Sequence, residues 1–343
     1  MASAALIVMV SGGSDSTALL ELCALAARGG QPVGPVGRRL LDMLTASLPA
    51  GCRPLPLCLH VNHQLRGEDS EADQAFVEQL CSRLGIPCEL RRVDVAVRME
   101  AGAAGMEAAA RELRYAAASS ALERWCARCG LPLEQGLVLT AHTLDDRTET
   151  FLMRAMVGTG PGGLASIPRR RGCIVRPLLD ATRFELRAFL AEQHPGEEPG
   201  TLWREDATND DGSNFRSRVR TQLVPVMEQL KPGFQHCLAR TMDLIAEEDA
   251  SLSSAADSLV YRNLVWEQGR ASLPLSVLEG LETPLARRVL RQCILELSPG
   301  SRLESRQLQR VLDALAAGGS FSTEVDGGVR VEGRDGRLCI SIR

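Results

Sequence analysis

The chain has 343 residues, 45% hydrophobic and 24% charged, with a net charge of −4 and only 3% aromatic residues. That composition excludes a disordered, collagenous or coiled-coil protein, and no apolar run approaches the ~20 residues a membrane span requires. A net acidic chain does not hold nucleic acid by bulk charge, so any such footprint must be a local patch.

In chain order, Leu6–Val10 reads as a strand and is followed by a helix over about 16–28. Residues 29–56, rich in Gly and Pro, form an insertion with one short helix, 38–47. A strand at Leu57–Val61 leads to a helix over 70–84, and a strand at 88–93 to a helix over 106–124. A fourth strand, Leu137–Ala141, precedes a helix over 145–157. Strands alternating with helices predict an α/β fold: a parallel sheet covered on both faces. The pattern breaks near 190–215, at His194-Pro-Gly-Glu-Glu-Pro-Gly200 and Asn209-Asp-Asp-Gly-Ser213. Helices without strands follow at 216–230, 234–259, 283–296 and 303–316. A strand pair closes the chain around Asp326-Gly-Gly328 and Asp335-Gly336. The predicted domains are therefore 1–212, and a smaller, mainly helical 213–343 with a small C-terminal strand pair. Residues 221–343 carry 14 basic and 16 acidic residues, so the second domain is not a basic module.

The cations are 38 arginines and one lysine, Lys231. A GC-rich genome explains this bias simply, although arginine also suits bidentate phosphate contacts. The eleven cysteines lie mostly in apolar runs and read as buried free thiols in a reducing compartment. The close pair Cys126-Ala-Arg-Cys129 has no second pair or histidine pair and reads as coincidence. No leader precedes the first strand, which predicts a cytoplasmic location; an organelle such as a plastid would require a transit peptide ahead of this sequence.

The chemistry concentrates at Val10-Ser-Gly-Gly-Ser-Asp-Ser-Thr17, between the first strand and the first helix. Two glycines allow a tight turn whose N–H groups approach an anion, and the helix start adds its positive end. Hydroxyls of Ser11, Ser14 and Ser16 add donors. Asp15, a carboxylate beside a phosphate site, implies Mg²⁺ between them. A Gly-Lys-Ser/Thr ending is absent, which excludes the mononucleotide P-loop. Gly158-Thr-Gly-Pro-Gly-Gly163 satisfies G-x-G-x-x-G but follows a helix, so it is a turn and not a dinucleotide site. Ser11, His60 and His142 all fall at carboxyl ends of predicted strands, where ligands sit in open parallel sheets.

The pattern Ser-Gly-Gly-x-Asp-Ser resembles the PP-loop of ATP pyrophosphatases, which cleave ATP between its α and β phosphates. Four more segments narrow the resemblance. They are Leu59-His-Val-Asn-His-Gln-Leu-Arg-Gly-Glu-Asp-Ser70, Glu107-Ala-Ala-Ala-Arg-Glu-Leu-Arg-Tyr115, and Ala141-His-Thr-Leu-Asp-Asp-Arg-Thr-Glu-Thr-Phe151. The last is a composite of Arg176-Pro-Leu-Leu-Asp180, Asp206-Ala-Thr-Asn209 and Asn214-Phe-Arg-Ser-Arg-Val-Arg220. In this order, over about 5–343, the set resembles the short form of the tRNA(Ile)-lysidine synthetase family. Val157 stands where that family often has Arg, Ser217 where it usually has Asn, and the 29–56 insertion is longer than usual.

The resemblance implies a PP-loop fold with a second domain, and a ligase that forms a carbon–nitrogen bond. ATP adenylates carbon 2's oxygen of the wobble cytidine in the CAU anticodon of tRNA(Ile), and the ε-amine of free L-lysine then displaces AMP. It implies that Ser11, Gly12, Gly13, Ser14, Asp15 and Ser16, with His60 and His142, bind ATP, and that Asp15 holds Mg²⁺. The implied catalytic set is Asp15, Asp146, Glu149, Arg111 and Arg114. The carboxylates Asp145, Asp146 and Glu149 suit an ammonium substrate and can take its proton. Arg216, Arg218 and Arg220, fanning over roughly 160° of a helix, would bracket a phosphate or substrate. Arg169 and Arg170, in the run Arg169–Arg171, would meet tRNA phosphates. No membrane partner is expected, and a homodimer stays open. Two alternatives remain: a PP-loop tRNA thiolation enzyme of the 2-thiocytidine type, which predicts paired C-x-x-C motifs, and a non-catalytic RNA-binding relative, which predicts that Asp15 is dispensable.

Overall fold

The computed structural model describes residues 3–64, 67–95, 98, 105–205, 214–267, 269–299, 301, 303–318, 320–325 and 328–342. The expected motif positions 65–66 and 206–213, the boundary at 212/213 and the turn residues 326–327 lie outside the described residues.

The chain divides into two compact units. The first comprises Met1–Val157 and Ser166–Thr241, the second Gly158–Ala165 and Met242–Arg343. Residues 214–241, which the sequence suggests for the second domain, therefore group with the first unit.

In the first unit the strands are β1 (Ser3–Met9), β2 (Arg53–Asn62), β3 (Cys88–Arg92), β4 (Gly136–Leu139), β5 (Arg170–Arg171) and β6 (Ile174–Val175). They form one sheet in the order β3-β2-β1-β4-β6-β5. The β2–β3, β1–β2, β1–β4 and β4–β6 pairs are parallel, and only the β5–β6 edge ribbon is antiparallel. The ribbon is too short to show in periodicity. Its helices are α1 (Ser14–Arg28), α2 (Gly34–Ala46), α3 (Glu68–Leu84), α4 (Met106–Cys129), α5 (Leu144–Val157) and α6 (Arg183–Gln193). The central strand explains the layering. Ala4, Leu6, Val8 and Val10 point to a core shared with α1, α2, α3 and α6. Ala5, Ile7 and Met9 point the other way, to a core shared with α4. Successive side chains of a strand alternate faces, so a strand apolar at every position belongs between two helical layers.

The second unit corrects the expectation of helices followed by a strand pair. Its helices are α7 (Phe234–Asn263, from Met242 onward), α8 (Thr283–Leu297) and α9 (Ser305–Ala317). A five-stranded antiparallel sheet accompanies them, with β7 (Val265–Glu267), β8 (Arg270–Pro274), β9 (Phe321–Val325), β10 (Val329–Arg334) and β11 (Arg337–Ile342) in the order β7-β8-β11-β10-β9. The β7–β8 ribbon is only three and five residues long, too short for alternation to stand out. Val329, Val331, Leu338 and Ile340 alternate into a core with Val289, Leu290 and Val311. Arg334 pairs with Arg337 across Asp335-Gly336, both at positive φ (50° and 68°), as a two-residue primed turn demands. Among the described residues no helix is long and apolar enough to cross a membrane.

Candidate nucleotide and substrate site

The loop from Ser11 to Ser16 leaves the carboxyl end of β1 and enters α1. Gly12 has φ of +97°, in the left-handed region that side chains rarely adopt. Three bonds hold the turn shut: Ser11 N–H donates to Ser16 Oγ at 3.2 Å, Ser16 Oγ donates to Gly13 O at 3.0 Å, and Thr17 N–H donates to Gly13 O at 3.0 Å. Arg204 N–H, from a distant segment, donates to Gly12 O at 2.9 Å. Ser16 is thus a brace of the turn. Among the described residues, no hydrogen bond uses the N–H groups of Gly12, Gly13, Ser14, Asp15 or Ser16. Five consecutive free donors at a helix start form an anion cradle.

Asp15 opens α1. Its Oδ1 accepts from Ser14 Oγ at 3.1 Å, and its Oδ2 lies 3.2 Å from Nε of Arg183. The same guanidinium places Nη2 at 3.8 Å from Asp146 Oδ1, and the Arg183 N–H donates to Asp145 Oδ2 at 2.7 Å. Arg183 therefore gathers three of the expected acidic residues. It stands at the start of α6, which Thr182 and Glu185 cap reciprocally. The sequence alone does not single it out; the nearest signal is this capping pattern, which opens at Thr182, two residues beyond Asp180.

Asp146 and Thr143 form the reciprocal start of α5: Thr143 N–H donates to Asp146 Oδ2 at 3.0 Å, and Asp146 N–H to Thr143 Oγ1 at 3.3 Å. The cap is thus Thr143, and Asp145 is released to bind Arg183. Burial pushes the Asp15 carboxyl above its ordinary value against the pull of Arg183. Burial acts the same way on Asp146, but Arg183, His142 and the Thr143 amide outweigh it and hold that carboxyl below its ordinary value.

Glu149, expected from the sequence to help hold the lysine ammonium, is buried one turn further along α5 and ion-paired. Its Oε1 accepts from Arg220 Nε at 2.6 Å, and its Oε2 from Arg216 Nε at 3.0 Å and Arg220 Nη2 at 3.1 Å. The arginines come from a helical turn, Phe215–Arg218, capped by the Asn214 side chain, and the π-helical stretch Val219–Leu223 after it. Arg216 and Arg220 converge on one carboxylate instead of fanning around a phosphate; Arg218 alone is exposed. Ser217 is buried, and its carbonyl accepts from Thr221 Oγ1 at 2.9 Å. Val157, at the end of α5, is exposed.

His60 is buried with Nδ1 2.9 Å from Val10 O, bracing the end of β1. His142 Nδ1 lies 2.9 Å from Thr140 Oγ1. Burial, helped by the charges of Arg176, Arg111 and Arg216 and opposed by Asp146, lowers the His142 pKa to about 4. Arg111 and Arg114 separate. The Arg111 guanidinium lies 5.1 Å over the Tyr115 ring and contributes charge at His142, whereas Arg114 Nη2 is 3.3 Å from His63 Nε2. Arg169, half exposed, donates to Asp180 through two bonds of 2.6 and 2.9 Å. Arg170 is exposed at the sheet edge, with Nε donating to Gly172 O.

Residues 1–227 match the family described as PP-loop domain, and 273–339 match the TilS substrate binding domain. The chain belongs to the PP-loop family. It is similar to the tRNA(Ile)-lysidine synthase of Thermus thermophilus, 36% identical over 313 residues, 90% of this chain and 52% of that protein. The enzyme of the same name from Geobacter sulfurreducens is 33% identical over 291 residues, 84% of this chain and 54% of that protein. The chain spans about half the length of the curated relatives it matches. Among solved structures, the U34-tRNA thiolase NcsA of Methanococcus maripaludis aligns over 72% of this chain and 74% of its own, with a TM-score of 0.45 and 14% identity.

Proposed function

We propose that the chain ligates free L-lysine to carbon 2 of the wobble cytidine in the CAU anticodon of tRNA(Ile), through an adenylated cytidine, with release of AMP and pyrophosphate. One observation carries the reading: at the sheet's carboxyl edge, five free amides of residues 12–16 adjoin two carboxylates, Asp15 and Asp146, that share the Arg183 guanidinium. The match to both a PP-loop domain and a TilS substrate binding domain, and the likeness to lysidine synthases, supports the choice among PP-loop chemistries.

The amides of Gly12 to Ser16 would hold the β and γ phosphates, where charge grows as pyrophosphate departs; fixed donors in a partly buried site act there without reorganising. Asp15 and Asp146 form an all-oxygen donor pair beside that cradle, a set that fits Mg²⁺, which favours one or two carboxylates together with substrate phosphates. Bound there, the ion would neutralise phosphate charge. Arg183, at the centre of the acidic group, would supply positive charge beside the α-phosphate. His142, whose pKa burial lowers to about 4, and the charged Arg111 that acts on it would contact the nucleotide or the adenylated base. Asp145, next to Asp146 in the chain, is the carboxylate we assign to hold the lysine ε-ammonium, and the proton the amine loses before attack passes to solvent. Glu149 orders Arg216 and Arg220, leaving exposed Arg218 and Arg170 for tRNA phosphates. The location we propose is the cytoplasm.

The test is an assay with ATP, L-lysine and a tRNA(Ile) transcript, omitting each in turn and following AMP and pyrophosphate. Turnover should need all three and vanish when the wobble cytidine is replaced by uridine, which lacks the exocyclic amine and amidine-like nitrogen. Turnover independent of lysine would reject the proposal.

A further inference from the structure

Away from this site, three cysteines far apart in sequence come together. Cys58 on β2 is the register partner of Cys88 on β3, and Cys81, in the last turn of α3, completes the group. The three Sγ atoms all lie within 4.8 Å of one another. Cys58 and Cys81 are buried, and Cys88 opens to solvent at the sheet edge. Sulfurs bound to one ion at about 2.3 Å each stand no more than about 4.6 Å apart, so the thiols are already within a small side-chain adjustment of a common centre. Among the described residues no histidine or carboxylate joins the group. An all-sulfur donor set rejects Mg²⁺ and Ca²⁺ and selects thiophilic cations.

We propose that Cys58, Cys81 and Cys88 form a three-thiolate site for a thiophilic d¹⁰ cation of the Zn²⁺ class, with the fourth position open to water on the Cys88 side. Binding forms three metal–sulfur bonds, and each thiol gives its proton to solvent. The Cys126/Cys129 pair that stands out in the sequence belongs to no such group among the described residues.

The position gives the ion a consequence. Cys81 sits one helical turn after Val77 on α3. Phe76 and Val77 are among the side chains nearest Gly12: a Cβ built on that glycine would lie 3.6 and 3.7 Å from them. An ion joining Cys81 to β2 and β3 therefore clamps the helix that backs the phosphate loop.

The full-length chain, stripped with chelator and kept reduced, is titrated with Cd²⁺ and followed by sulfur-to-cadmium charge-transfer absorption. The expected result is a band that saturates at one ion per chain and is bleached by excess Zn²⁺. Cys81→Ser should weaken binding roughly tenfold or more, and so should Cys88→Ser, a rim change that leaves the core intact. Cys126→Ser/Cys129→Ser should keep the band. No band with the wild-type chain, a band lost in the Cys126/Cys129 variant, or one retained in folded Cys88→Ser would each overturn the site. A Cys58–Cys81 disulfide formed in place of metal binding would also overturn it.

Discussion

Arg183 joins Asp15 to Asp146: its Nε lies 3.2 Å from one carboxylate and its Nη2 3.8 Å from the other. The two acids come from the starts of different helices, and the guanidinium offsets the repulsion that would otherwise separate them. Arg183→Met keeps the stem and removes the charge. The expected outcome is loss of pyrophosphate release by about 10²–10³-fold, the scale seen when one transition-state donor is removed. Pre-steady-state release of pyrophosphate, measured without lysine, reads this step alone.

Glu149 predicts a stability effect. With two guanidinia on one buried carboxylate, Glu149→Ala strands positive charge and should cost about 3 kcal/mol or more in urea denaturation. Arg218→Ala, at an exposed position on the same segment, should change stability by no more than about 0.5 kcal/mol.

The two loop glycines differ. Gly12 adopts φ of +97°, and Gly13 adopts −71°. Gly12→Ala should strain the turn by about 1–2 kcal/mol and abolish nucleotide binding. Gly13→Ala meets its nearest atom at 3.8 Å and should fold normally. Equilibrium binding of a non-hydrolysable ATP analogue to each variant checks this pair.

His142 sets a pH dependence. Its pKa falls from 6.5 to about 4 in the folded protein, so between those values the unfolded chain binds the extra proton. Its contribution is fully present above pH 6.5 and is lost as pH falls toward 4, by at most roughly 3 kcal/mol. His63 is lowered to about 4 as well, by burial and then by Arg114 and His60. His142→Gln should flatten the stability profile over that window, with the remaining slope due in part to His63. Urea midpoints measured from pH 4 to pH 7.5 test the sign.

The parts of the fold legible in the sequence were those written in consecutive residues. The apolar run of β1 and the Ser-Gly-Gly-Ser-Asp-Ser turn sit side by side in the chain, so strand, turn and helix start follow from local chemistry. Arg183 was not legible, because its meaning is its distance from Asp15, 168 positions earlier. Glu149 stands out in the sequence as a carboxylate in the first turns of a helix but not as an ion-pair centre, since nothing local says that Arg216 and Arg220 return to it. The sulfur group at Cys58, Cys81 and Cys88 depends on strand register and one helix crossing, and no spacing rule describes it.

The placement of β1 also bears on how the protein is made. This first strand lies in the middle of its sheet, and Ala5 has Gly136 as its partner on one side. On a ribosome adding about 5–20 residues per second, that edge stays bare for something on the order of ten seconds after β1 emerges. An apolar strand with an open row of backbone groups is a template for wrong pairing. Slow translation before residue 136 should therefore increase aggregation and dependence on chaperones during synthesis, without changing the stability of the finished protein.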